Sequence, residues 1–270
     1  MKILINLICL LIPSKQKRKE IRKKLITKYE KKQLKKDYTK NKLRQISIKM
    51  SMPDDVYQFN NIKMYVPDYP LDYIQETIVD ENDFYEKDFL IYLDNFVKPN
   101  DCILEIGANI GNHTVYWGKM RNAQHIYCFE PIAKTFKRLQ KNIEINNLQS
   151  KTTLFNKAAG KENTAGVIDS FNMSNIGATS IKSSKEGDLE IVRIDDMKFN
   201  HKIDFVKIDV EGFEVDVLEG MVELLKQDKP NVVIESFKEN APKIIEIMTS
   251  IGYKSLGDSF HKDNYLFIME

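Results

Sequence analysis

From Asp101 onward, short apolar runs alternate with longer amphipathic stretches. Residues 102–106, 126–129, 153–156, 205–208 and 232–234 read as strands, and 114–120, 133–146, 215–225 and 241–250 as helices. Such alternation implies βαβ units, hence a doubly wound, mainly parallel sheet covered on both faces. The chain closes with 253–256 and 265–269, patterned as an antiparallel hairpin. Residues 51–100 form a lead-in, whose first part is broken by Pro53, Pro67 and Pro70 into short extended pieces such as 62–66. Phe84, Phe89, Leu90, Leu93, Phe96 and Val97 then predict one amphipathic helix with its aromatics in the core, ended by Lys98-Pro99-Asn100. Before it, residues 1–50 place an apolar tip ahead of a lysine-rich stretch in which Ile21, Leu25, Ile26, Tyr29, Leu34, Tyr38 and Leu43 recur at loosely helical spacing. Three segments result: a basic helical arm at 1–50, the lead-in at 51–100 and an α/β domain at 101–270.

Composition sharpens this division. The 270 residues are 42% hydrophobic and 30% charged, which excludes collagen, a long disordered chain and a multi-span membrane protein. The formal charge of +2 hides a split between +14 over residues 1–50 and −12 over the remainder. Cys9, Cys102 and Cys128 are too scattered for a disulfide framework and read as isolated thiols in a reducing compartment. The apolar tip, residues 1–13, is too short to span a bilayer and makes a poor signal peptide, because the charge follows it and no small-residue cleavage site does. A short apolar plug followed by a polybasic helix suits the anionic inner face of a membrane, with residues 1–49 as the contact. A solvated helix or a disordered tail is the plainer reading. No nucleic-acid module is recognised, so no nucleic-acid partner is expected.

Three motifs carry candidate chemistry. Glu105-Ile-Gly107-Ala-Asn109-Ile-Gly111-Asn112 follows the first strand of the alternating region and leads into a helix. Its glycines allow a sharp turn and close approach to a ligand at the carboxyl end of the sheet. It lacks the dinucleotide spacing, and Glu105 ahead of the first glycine disfavours a pyrophosphate. An acid there suits a ligand with ammonium and sulfonium groups. Glu130, in Phe129-Glu130-Pro131, ends the second strand, where a carboxylate accepts hydrogen bonds from ribose hydroxyls. It also fits a simple helix-start carboxylate, with Pro131 opening that helix. The run from Ile203 to Glu214 carries Lys207, Asp209 and Glu211 at alternate positions, which places them on one face of a strand end. Lys207 is expected to pair with Asp209 or Glu211, since unpaired charge on a covered strand is costly. Glu235 ends the next strand and belongs on the same rim as Glu105, Glu130 and Asp209.

Together, Glu105-x-Gly-Ala-Asn-x-Gly111, Phe129-Glu-Pro131, Asn142-x-x-x-Asn146-Asn147, Ile203-Asp-Phe-Val-Lys-Ile-Asp-Val-Glu-Gly212 with Val217-Leu-Glu-Gly220, and Val233-Ile-Glu235 resemble the FkbM family of S-adenosylmethionine-dependent methyltransferases. The resemblance covers roughly residues 84–240. It implies a class I, Rossmann-like methyltransferase fold and methyl transfer to a hydroxyl, with acceptors among sugars of bacterial surface polysaccharides and related glycans. It implies S-adenosylmethionine contacts from Glu105, Gly107, Ala108, Asn109, Gly111, Asn112, Glu130, Pro131, Ala158 and Asp209. The opening segment, residues 6–15, is similar to openings of bacterial surface-polysaccharide enzymes. The stretch 172–181 resembles the family's variable acceptor-side segment, and an ordinary exposed loop is its plainer reading. Where the family commonly has Asp, this chain has Glu105. Asn112-His113 stands where aromatics are common.

A sugar hydroxyl is a weak nucleophile, so a general base helps. Asp209 is the first candidate, followed by Glu211 and Glu235, with His113 as a minor one. His201 and His261 receive no role, and neither does Asp195-Asp196. No His/Cys cluster has zinc spacing, so no metal ligand is assigned. Asp209 with other rim acids is able to hold Mg²⁺ through oxygen ligands, although nothing in the sequence requires it. A cytoplasmic enzyme, peripheral on the inner membrane, is the leading expectation. A nucleotide-dependent α/β dehydrogenase and a non-catalytic S-adenosylmethionine-binding module are the alternatives. Neither the acceptor's identity nor the oligomeric state is legible in the sequence.

Overall fold

The computed structural model describes residues 15–170, 175–258 and 263–269, in two units that divide after Pro53. The apolar tip at 1–13, the first part of the 172–181 stretch and His261 lie outside the described residues.

The first unit is helix α1 (Lys15–Ser51). Its lysines are spread around the whole circumference and collect like-charge i,i+4 pairs, such as Lys24/Lys28, Lys28/Lys32, Lys32/Lys36 and Lys36/Lys40. Glu20–Lys24 is an attractive pair of the same spacing, at 2.9 Å. No helix among the described residues is long and apolar enough to cross a membrane.

The second unit opens with β1 (Val56–Phe59) and β2 (Ile62–Tyr65), an antiparallel pair, then α2 (Tyr73–Glu81) and α3 (Lys87–Leu93). The amphipathic helix expected across Phe84 to Val97 forms only over its middle, Lys87–Leu93, with Phe89, Leu90 and Leu93 buried. Glu86 sits at φ 56°, in the left-handed region, so α3 starts only after it. Phe84 turns inward instead and packs edge-on against Phe59 and Tyr116, with ring centroids at 5.2 and 5.3 Å. The sequence reading missed α2, whose start is capped by the Asp72 carboxylate accepting from Gln75 N at 3.1 Å.

The α/β region follows as β3 (Cys102–Ile106), α4 (Asn112–Met120), β4 (His125–Phe129), α5 (Ala133–Ile145) and β5 (Thr152–Phe155). Next come β6 (Ala158–Gly160), β7 (Thr164–Ser170), β8 (Ser180–Ser183) and β9 (Leu189–Arg193). The chain then forms β10 (Phe205–Asp209), α6 (Glu214–Glu219), α7 (Val222–Asp228), β11 (Asn231–Glu235), α8 (Ala241–Ser250), β12 (Tyr253–Asp258) and β13 (Asn264–Met269).

Seven strands form the central sheet in the order β12-β13-β11-β10-β3-β4-β5. β3, β4, β5, β10 and β11 are parallel. β13 runs antiparallel to both neighbours, wedged between β11 and β12, so the expected hairpin joins the sheet through its second strand. This is the class I methyltransferase architecture. β3 is buried at all five positions, as a strand covered on both faces must be.

A four-stranded sheet, β6-β9-β7-β8, stands apart from the central one. The stretch expected as one helix over 215–225 is broken into α6 and α7. A Cβ on Gly220 would lie 2.0 Å from the Gly160 carbonyl oxygen, so the chain turns tightly against β6 there. Asp195 N takes the Gly220 carbonyl at 3.0 Å, and the Asp195 carboxylate caps the start of α7 through Leu224 N at 2.9 Å. The lead-in is fastened to the sheet by α5. Asn146 accepts from Lys63 N and donates to Lys63 O, and Asn142 accepts from Tyr65 N while donating to Ile110 O.

Candidate active site

The carboxyl ends of β4, β3, β10 and β11 lie side by side, and a cleft of about 160 Å³ opens above them. Glu130 stands at one end of the row and Glu235 at the other. Three strand spacings separate them, roughly 14 Å. The chain passes from β3 to β4 on one side and later to β10 on the other, so the cleft lies at the topological switch of the sheet.

The glycine loop forms one wall. Gly107 adopts φ 88°, and a Cβ there would fall 1.8 Å from the Asp209 carbonyl oxygen. The glycine is therefore demanded by the close approach of β10, whatever else the loop binds. Gly107 N and Ala108 N both donate to Phe129 O at 2.9 Å, which pins the loop to β4. Gly111, at φ 86°, is the N-cap of α4 and packs on Leu139. Asn109, at φ 48°, and Gly107 line the cleft.

Glu130 is buried and lines the cleft. One carboxylate oxygen accepts from Asn109 N at 3.0 Å and the other from Ile132 N at 2.8 Å. The carboxylate thus ties the glycine loop to the segment that leads into α5, and it lines the cleft. The helix begins at Ala133, two residues after Pro131. Burial raises the Glu130 pKa to about 7, against those two hydrogen bonds.

Lys207 pairs with Asp209, at 2.8 Å. Burial opposes its charge, but Asp209, Glu105 and Glu235 together hold its pKa above the ordinary value. Glu105 is the register neighbour of Lys207, and Glu235 that of Asp209. Glu211 departs from the alternation expected of it, because β10 ends at Asp209 and Glu211 turns to φ 52°. It still lines the cleft, with its pKa raised to about 7 by burial and by the charge of Asp209. The charge of Asp209 and then burial raise Glu235 to about 8.

Not every sequence-selected residue reaches the cleft. Glu105 is 1% exposed and accepts from the Thr114 hydroxyl at 2.5 Å, behind the wall, with its pKa raised to about 7 by burial. Asn112 is committed to the main chain of Tyr85, accepting from its N at 3.0 Å and donating to its O at 2.9 Å. His113 is buried, with Nε2 3.4 Å from a Glu86 carboxylate oxygen, and burial lowers its pKa. Pro131, Ala158, Asp209, Glu211 and Glu235 do line the cleft. No group of three or more His, Cys, Asp or Glu side chains among the described residues is arranged to hold a metal ion.

The sequence reading missed Tyr85, Glu86, Thr135 and Lys157, which line the cleft together with Asn175, Gly177, Thr179 and Ile181 of the 172–181 stretch. Tyr85 and Glu86 come from the lead-in, where only core packing was legible. Thr135 is 3% exposed, and neither its hydroxyl nor Asn175 Oδ1 has a hydrogen-bond partner among the described residues. Buried polar atoms left open toward a cleft await a ligand. These atoms and the spare Glu130 lone pairs fit a nucleoside donor with several hydroxyl and amine groups. The surplus of acid along the rim fits the donor's positive charges.

Comparison with known proteins agrees with this geometry. The family described as "Methyltransferase FkbM domain" matches residues 105–255, more than half of the chain. The hexuronic acid methyltransferase AglP of Haloferax volcanii is 30% identical over 171 residues, 61% of this chain and 68% of that one. Methyltransferase 1 of Beauveria bassiana is 25% identical over 162 residues, 51% of this chain and 65% of its own length. Among solved structures, the FkbM methyltransferase of Methylobacillus flagellatus aligns with a TM-score of 0.50 at 19% identity. That alignment covers 64% of this chain and 44% of the other, so the chain spans less than half of that protein.

Proposed function

The chain belongs to the FkbM family of S-adenosylmethionine-dependent methyltransferases, and from that premise we propose that it methylates a hydroxyl oxygen of a sugar in a bacterial surface polysaccharide or related glycan. The observation that carries this reading is the cleft itself, with Glu130 and the unpartnered Thr135 hydroxyl at one end and Asp209, Glu211 and Glu235 at the other. The likeness to a hexuronic acid methyltransferase supports a sugar acceptor.

When bound, S-adenosylmethionine supplies a methyl group already activated on a sulfonium. The protein's work is then alignment and proton removal. Glu130 would hold the ribose hydroxyls, and Gly107, Asn109, Pro131, Thr135 and Ala158, which line the same cleft, would contact the rest of the donor. At the opposite end a carboxylate takes the acceptor's proton. Among Asp209, Glu211 and Glu235, Asp209 spends an oxygen on Lys207, whereas Glu235, with a pKa of about 8, is matched to a proton transfer near neutral pH. Glu105 acts from behind the wall, as part of the charge set that keeps Lys207 in place.

The polybasic α1 supports a cytoplasmic enzyme held on the anionic inner face of the membrane. The function is tested with purified protein, radiolabelled S-adenosylmethionine and glycans extracted from the source cells. Label in a base-stable methyl ether of a sugar is expected, and label confined to protein or nucleic acid excludes the proposal.

A further inference from the structure

The acid end of the cleft bears on the charge of the acceptor, an inference that rests on the sugar-hydroxyl reading above. The described cleft-lining residues include five carboxylates, Glu86, Glu130, Asp209, Glu211 and Glu235, against the single ammonium of Lys157. Lys157 is committed to Glu190 at 2.7 Å, and the buried Lys207 to Asp209. S-adenosylmethionine carries two positive charges and one carboxylate, so its arrival offsets one negative charge of a set in which Glu235 ionises near pH 8 and Glu130 and Glu211 near pH 7.

Those acids already oppose one another: the charge of Asp209 is the first cause of the raised Glu235 pKa and, after burial, the next cause of the raised Glu211 pKa. A carboxylate on the acceptor would join them in a half-buried site, with no uncommitted cation among the described lining residues to meet it. A hydroxyl-rich ring meets no such barrier. Carboxylates accept and hydroxyls donate, so Glu86, Glu211 and Glu235 are able to take ring hydroxyls directly. Asn175 Oδ1, in the same cleft and without a partner among the described residues, is one more acceptor of that kind. Tyr85 adds an aromatic surface for the ring's C–H face, and Asn112 fixes the Tyr85 main chain from the end of the glycine loop. Burial and the neighbouring acids push the Tyr85 pKa upward, so its hydroxyl stays neutral.

We propose that the acceptor is an uncharged, hydroxyl-rich sugar seated against Tyr85, Glu86, Glu211 and Glu235, and that sugars bearing a carboxylate are rejected. The test uses the full chain, radiolabelled S-adenosylmethionine and paired methyl glycosides and oligosaccharides that differ only in hexose against hexuronate. The neutral member of a pair should be labelled at least about tenfold faster than its uronate partner. Equal or faster labelling of uronates overturns the proposal, as does an absence of label in every neutral member. Calorimetric titration of S-adenosylmethionine into the same preparation separates the two levels. No donor binding fails the methyl-transfer reading itself, whereas donor binding with preferential uronate labelling fails the charge inference alone. Glu86→Gln should raise the uronate-to-neutral ratio several-fold, and an unchanged ratio removes Glu86 from the discrimination.

Discussion

Asp209 and Glu235 are register partners at the last positions of two adjacent parallel strands, and the charge of Asp209 is the main reason that Glu235 titrates near pH 8. Glu235 therefore keeps its proton at neutral pH and loses it near pH 8, where an acceptor hydroxyl meets a base of suitable strength. Turnover should therefore rise with pH up to about 8 and then level. Asp209→Asn should move that midpoint downward, because it removes the charge that raises Glu235. Glu235→Gln should cost about 10²–10⁴-fold in kcat with donor affinity retained. A pH–rate profile of the three proteins checks this, and identical midpoints for wild type and Asp209→Asn contradict it.

The same acids make the ligand-free protein sensitive to alkali. Glu105, Glu130 and Glu211 are raised to about 7 and Glu235 to about 8, each from an ordinary value of 4.5. A group whose folded pKa is raised adds stability that is complete below its unfolded pKa and is lost as pH rises through the folded value. His113 and His125, lowered by burial, act in the opposite sense, but only below about pH 6.5. Between pH 7 and 8.5 the carboxylates govern, so the Tm should fall across that window. Glu235→Gln should reduce the fall, and thermal scans at several pH values decide; a Tm that climbs from pH 7 to 8.5 refutes the electrostatic reading.

Gly107→Ala tests whether the loop glycine serves the fold as well as the ligand. The new methyl would press on the Asp209 carbonyl at a φ of 88°. Backbone strain of that kind costs about 1–3 kcal/mol before any clash is counted. At about 2–4 °C per kcal/mol in a protein of this size, the Tm of the ligand-free protein should drop by several degrees. An unchanged Tm would mean that β10 relaxes freely away from the loop.

Helix α1 repels itself, because its like-charge i,i+4 pairs outnumber attractive ones such as Glu20–Lys24. An anionic surface relieves that repulsion. The full chain should co-sediment with vesicles rich in phosphatidylglycerol and gain helical circular dichroism on doing so, with binding weakened steeply by salt. Removal of residues 1–51 should abolish sedimentation and leave the Tm of the remainder unchanged. Retention on vesicles after the deletion places the contact elsewhere.

The parallel core was legible in the sequence because β3, β10 and β11 are apolar runs punctuated by rim acids, and that pattern has few other solutions. The rim acids Glu130, Asp209 and Glu235 were legible for the same reason: a charge at the end of a covered strand needs a purpose. In the small sheet β9 was legible as the apolar run 189–194, but β6, β7 and β8 were hidden, since β6 is Ala-Ala-Gly and β7 and β8 are rich in small polar residues, so pairing rather than hydrophobic alternation makes them strands. Glu105 was misjudged in exposure, because a strand position does not reveal how many layers lie above it. Tyr85 and Glu86 were beyond reach. Only the fold brings the lead-in to the cleft, through a left-handed Glu86 and a clamp from Asn112 that no local pattern announces.

Calorimetric titration of S-adenosylmethionine and of NAD⁺ into wild-type protein and Glu130→Ala tests the donor site most directly. S-adenosylmethionine should bind the wild type, more tightly at pH 8 than at pH 6 as Glu130 ionises, and Glu130→Ala should lose about 1.5–3 kcal/mol of that affinity. NAD⁺ should give no heat. Binding of NAD⁺ in place of S-adenosylmethionine, or an affinity for S-adenosylmethionine indifferent to Glu130, would contradict the account.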